Sequence, residues 1–159
     1  MLRIAPFVTC AAFWLACAGT PDGPMPGDIA STYHAAGRLD EASREIEIAV
    51  RTRPKDLALR RQAARIESDA GMLERAIGHL EIATRLAPND PDVWLELADL
   101  ELGRNNDADA YVAYRRAAKL EPDDMHAVSG LAQAAESLGF SEEAEAAYER
   151  WDALKNGLE

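Results

Sequence analysis

Cysteine is nearly missing from this chain of 159 residues. It holds two, Cys10 and Cys17, and both sit near the N-terminus. From Ala18 onward there is no disulfide framework and no thiol chemistry. Histidine is also scarce: His34, His79 and His126 each stand alone, without a second His or Cys at metal-ligand spacing. There is no nucleophile elbow, no phosphate-binding glycine loop and no paired catalytic His and Cys. These absences argue against an enzyme and call for no cofactor. Aromatic residues are only 6%, none is interleaved among the basic residues from Arg51 to Arg65, and the net charge is −11. That balance argues against nucleic acid as a partner. Long apolar runs are missing too. The longest, Ile4 to Ala16, falls short of the about 20 residues a bilayer-spanning helix needs.

What the chain has is a period. Pro54, Pro88 and Pro122 stand 34 residues apart. Alanine keeps the same step at Ala30, Ala64, Ala98 and Ala132, and again at Ala42, Ala76, Ala110 and Ala144. A third series reads Gly37, Gly71, Asn105, Gly139, and a fourth reads Ile46, Leu80, Tyr114, Tyr148. A period of this length with small residues at fixed places predicts stacked helical hairpins. The alanines let two helices approach closely. The glycines end the first helix in the left-handed conformation, with Asn105 as the substitute. Each proline cannot continue the second helix and sets the break before the next unit. A hairpin cannot bury its apolar face alone, whereas stacked copies can.

The copies differ. Pro26 predicts a short opening helix, with Asp28 as its cap. Gly103, two residues before Asn105, predicts an early stop and a longer turn in the third copy. Arg60 stands where an apolar residue is expected. In the fourth copy Trp151 replaces a small residue and is expected to cover the open end.

Counted from 23, 57, 91 and 125, this pattern resembles the tetratricopeptide repeat, most closely in Trp94, Leu97, Ala98, Ala110, Tyr114, Ala117 and Pro122. The resemblance implies an all-α solenoid of four helix-turn-helix repeats, 23–56, 57–90, 91–124 and 125–158, wound as a right-handed superhelix. It also implies a non-catalytic scaffold that takes a protein or peptide partner in a groove lined by the first helices. On this chain the candidate groove contacts are Arg61, Arg65 and Asp69 in the second repeat. The third supplies Asp92, Leu95, Glu96, Asp99 and Leu102, and the fourth His126 and Gln133. Arg61 and Arg65 are expected to face Glu96 and Asp99. Some members grip a terminal carboxylate with Lys and Asn in one repeat and basic residues two repeats later. Here those places hold Gly27, Ser31, Asp92 and Glu96, so that clamp is absent.

The N-terminal residues do not fit the repeat. A basic Arg3 precedes the apolar run, which has the length of a secretory signal. Cys17 follows Leu15 and Ala16, which resembles a lipoprotein signal over 1–16, cut before a lipidated Cys17. The stretch Ala16-Cys17-Ala18 also suits an ordinary signal-peptidase cut, releasing a soluble protein from Gly19, and an uncleaved anchor is a third reading. Residues 17–27 read as a Gly/Pro-rich tether. By family analogy the expected place is the bacterial envelope, lipid-anchored in the outer membrane and facing the periplasm, or else soluble there.

Charge is uneven. Residues 89–159 hold 17 acids against 6 bases, while 17–88 hold 11 against 10. Arg51, Arg53, Lys55, Arg60, Arg61 and Arg65 cluster against Asp56 alone in the sequence. This asymmetry suits either a solvated surface or a bipolar one that steers a basic partner or pairs copies into a homo-oligomer. The remaining acids are expected at the surface. His79 is expected on the outer face, and Tyr111 is expected to be exposed.

Overall fold

A computed structural model describes residues 25–157. The signal, Cys17 and the tether up to residue 24 lie outside the described residues. Eight α-helices follow one another: α1 (Pro26–Ala35), α2 (Leu39–Thr52), α3 (Leu57–Asp69), α4 (Leu73–Leu86), α5 (Pro91–Gly103), α6 (Asp107–Leu120), α7 (Met125–Ser137) and α8 (Ser141–Lys155). They pair as α1·α2, α3·α4, α5·α6 and α7·α8, and each hairpin packs on the next in chain order. The architecture is an all-α solenoid. No described helix is long and apolar enough to cross a membrane.

The period is visible in the backbone. Gly37, Gly71, Asn105 and Gly139 all have φ between 62° and 77° and close the turn inside each hairpin. The next residue then donates its N–H back into the helix just ended: Arg38 to Tyr33, Met72 to Glu67, Asn106 to Glu101 and Phe140 to Ala135. This bond satisfies a carbonyl that the helix end leaves open. Gly103 does not shorten α5, contrary to the expectation. That helix has 13 residues, like α3 and α7. Its end is set by the left-handed residue at 105, and a glycine inside the last turn still makes its backbone bonds.

Between hairpins, Arg53, Ala87 and Glu121 leave the helical region, with φ near −130° and ψ between 69° and 88°. The ring of the following proline forbids the helical region there. Asp56, Asp90 and Asp124 then cap the next helix, their carboxylates accepting the N–H groups of Leu59, Asp92 and Ala127. At the start of the array Pro26 and Gly27, read as the tether's end, are already the first turn of α1. Asp28 is not the cap residue itself. It stands in that turn and accepts the N–H of Met25 at 3.3 Å.

The alanine series form the helix contacts, and none of the eight is more than 5% exposed. Ile46, Leu80 and Tyr114 fill the seams between hairpins and are at most 2% exposed, whereas Tyr148 in the last unit is 38% exposed. Trp151 is half-buried, with the Lys155 ammonium over its ring. Arg60 takes over a role of Trp94 in the next repeat. Each donates an N–H to the carbonyl of the proline six residues earlier, at 3.0 and 3.1 Å.

Candidate binding groove

The first helices α1, α3 and α5 share one face, and a cleft of about 600 Å³ opens along it. Its floor is apolar, with Ala58, Ala64, Leu80 and Leu100. Its polar lining includes Arg61, Arg65, Asp69, Glu96 and Asp99. Five of the sequence-predicted residues therefore meet in one place. They do so because helical positions four apart, such as 61, 65 and 69, fall on one stripe.

Their electrostatics are specific. Arg61 binds Glu96 in a two-pronged pair, with Nε 3.1 and 3.0 Å from the two carboxylate oxygens and Nη2 2.6 Å from Oε1. The hydrogen bond that Arg61 donates to Glu96 raises the Arg61 pKa above its ordinary value. Asp92 adds a weaker contact to Arg61 at 3.9 Å. Arg65 does not face Asp99 as expected. It is exposed and makes no hydrogen bond or ion pair among the described residues. Asp99 is held instead by Tyr114 Oη at 2.6 Å and by His126 Nε2 at 3.0 Å, both on its Oδ1. Tyr114 is long enough to reach across its hairpin to that oxygen. Asp69 pairs with His34 at 2.6 Å. Burial, then the Asp99 hydrogen bond, push the Tyr114 phenol well above its ordinary pKa.

Other predicted contacts lie elsewhere. Leu95 does not line the cleft. It is 7% exposed and belongs to the core, where an apolar side chain gains about 1.5–3 kcal/mol by leaving water. Leu102 is half-buried against the same core. Asp92, His126 and Gln133 are exposed beyond the cleft lining.

The basic cluster does not form one patch. Arg51 pairs with Glu47 on its own helix, Arg53 with Asp56, and Arg61 with Glu96 one repeat on. Arg60 meets His79, which is 8% exposed and not on the outer face. A guanidinium only donates, so His79 Nδ1 accepts from Arg60 and the ring proton sits on Nε2. His79 Nε2 stands 3.2 Å from Glu67 Oε2. Glu67 is fully buried, which corrects the expectation that the acids lie at the surface. Arg75 reaches Glu67 at 2.6 Å and Glu47 at 3.2 Å. Neither Glu67 oxygen makes an aligned hydrogen bond with Arg75 or His79. Burial works to raise the Glu47 pKa, but the Arg51 hydrogen bond and the charges of Arg51 and Arg75 leave it below its ordinary value. Glu47, Glu67 and His79 bring ligand-type atoms within 4.8 Å of one another, and the Arg75 guanidinium stands among them as the cation.

Tyr111 is likewise buried, at 8%. It donates to Glu143 at 2.5 Å and meets the edge of Phe140, since the fourth hairpin covers it. Sequence periodicity misses both features, because each depends on the neighbouring repeat.

Two family models described as tetratricopeptide repeat match the chain, over residues 57–100 and 95–158. No curated protein matches it. Among solved structures, a crystal structure of MamA superposes with a TM-score of 0.74 at 22% identity, covering 82% of this chain and 76% of that one. YrrB, titled a TPR protein with an unusual peptide-binding site, gives 0.71 at 17% identity, covering 83% and 68%. The first TPR of Spaghetti (RPAP3) bound to an HSP90 peptide gives 0.64 at 18% identity, covering 72% and 90%. These likenesses are in fold.

Proposed function

The chain belongs to the tetratricopeptide repeat family, and from that premise we propose a non-catalytic scaffold that holds a partner peptide or helix in the cleft along α1, α3 and α5. The observation that carries this is the cleft itself: an apolar floor with the exposed Arg65 at its rim. Similar folds whose titles name a bound peptide or a peptide-binding site support the reading. The partner is not the terminal carboxylate of a chaperone tail. Of the four places that would grip it, Gly27 is buried and Glu96 is committed to Arg61, while Ser31 and Asp92 carry no positive charge.

The scaffold works at the bacterial envelope behind a lipidated Cys17. The support is the apolar run that ends at Leu15-Ala16-Cys17. The competing cut after Ala18 leaves a soluble periplasmic protein with the same groove. Intact mass of the mature protein separates them: a diacylated or triacylated Cys17 supports the anchor, and a start at Gly19 replaces it. For the groove, a photocrosslinker at position 65 or 68 should capture a partner that one at the outward positions Ile48 or Val112 does not. Capture from the outward positions alone refutes the groove.

A further inference from the structure

Resting on that groove reading, we infer that the cleft selects a partner segment of mixed charge: one apolar anchor, one acidic side chain and adjacent basic side chains.

Several polar groups of the cleft are already used. Arg61 is closed on Glu96. The Gln62 amide is closed on the Gly27 carbonyl at 2.7 Å and on Ser31 Oγ at 2.6 Å. Three charged groups keep capacity. Arg65 is exposed and none of its donors is paired among the described residues. Asp69 uses Oδ2 on His34 and leaves Oδ1. Asp99 uses Oδ1 on Tyr114 and His126 and leaves Oδ2. Asp69 stands one turn beyond Arg65 on α3, about 6 Å along the axis, and Asp99 stands on α5.

A ligand lying over Ala58 and Leu100 excludes water from these rims. Each charge it covers must then find a partner, because an ion taken from water unpaired is costly. A purely acidic segment meets Asp69 and Asp99 with like charge. A purely basic one covers Arg65 without a counter-ion. A segment with a carboxylate for Arg65 and ammonium or guanidinium groups for the two aspartates satisfies all three, while its apolar side chain takes the floor. Such charge matching sets specificity more than affinity.

The test is a random dodecapeptide display library selected against the intact mature protein, against its Arg65→Glu variant and against the cleft-filling Ser68→Trp variant. Arg65 is exposed, so its variant keeps the fold, checked by circular dichroism. The wild type should enrich peptides with an acidic residue flanked by basic ones and an apolar residue beside them. Those peptides should lose about tenfold or more in affinity on Arg65→Glu, and changing their acidic residue to lysine should restore it. Peptides from wild type and Arg65→Glu that share one charge pattern, all-basic selections, or no enrichment overturn the inference. Selected peptides that bind Ser68→Trp as tightly as wild type refute the groove reading itself.

Discussion

Asn105 holds a backbone that glycine holds in the other three turns, at φ 62° against 72–77°. The left-handed region costs an ordinary residue roughly 1–2 kcal/mol, and asparagine less. Asn105→Ala should therefore lower stability by about 1 kcal/mol, while Asn105→Gly should be neutral, as read by urea unfolding. Gly130 meets a different demand. A Cβ there would enter the Tyr114 ring, and Gly130→Ala should cost about 1–3 kcal/mol because that ring has no room to retreat. Tyr114 also gives a pH dependence. Its folded pKa lies above the unfolded value of about 10. The native state therefore holds the proton more tightly, and its contribution is complete below pH 10 and falls away as pH rises further. Tyr114→Phe should flatten the alkaline fall in unfolding free energy while lowering stability at neutral pH by about 1 kcal/mol, for the lost Asp99 bond. An unchanged alkaline slope assigns that fall to other groups. At this scale the small residues were legible in the sequence, because a positive φ or a close helix contact restricts composition directly. Tyr111 and His79 were not, because their burial depends on side chains from other helices.

At the scale of the helix, the stops and starts were half legible. The prolines announced each break. The caps Asp56, Asp90 and Asp124 follow them two residues on, at the same 34-residue step as the prolines, and this signal was there to be read. What periodicity could not supply is the tie between α2, α3 and α4 made by Glu47, Glu67, Arg75 and His79. A buried carboxylate at one helical position looks like any surface acid until the neighbouring helix brings its cation. Removing that cation leaves the buried Glu67 carboxyl without its guanidinium partner. Arg75→Met should cost about 3 kcal/mol, at the lower end for a broken buried pair because Arg75 itself is half in water. The double variant Arg75→Met with Glu67→Leu should recover most of the loss. A double-mutant cycle by urea unfolding checks this, and additive losses would mean that the ion pair is not what binds the three helices.

Across the whole molecule, the same repeat position has a different value according to what stacks on it. The core divides into two clusters, one in α1–α3 and a larger one running from α3 to α8. They meet at α3, whose side chains Ala63 and Ala64 fall in different clusters. Stability in such an array is a sum of neighbour contacts rather than of identical units. Leu80 sits in a seam at 1% exposure, and Leu80→Ala should cost about 2–5 kcal/mol, since a closed seam leaves a cavity. Tyr148 holds the equivalent position with no described hairpin beyond it, and Tyr148→Ala should cost less than about 1 kcal/mol. Grafting a copy of α5 and α6 after Lys155 would cover Tyr148, and the same Tyr148→Ala change should then approach the cost measured at Leu80. Thermal and urea unfolding of the wild type, the two single variants and the grafted protein with and without Tyr148→Ala tests this. If Tyr148→Ala costs the same with and without the extra hairpin, burial at this position is set inside the hairpin and not by its neighbour.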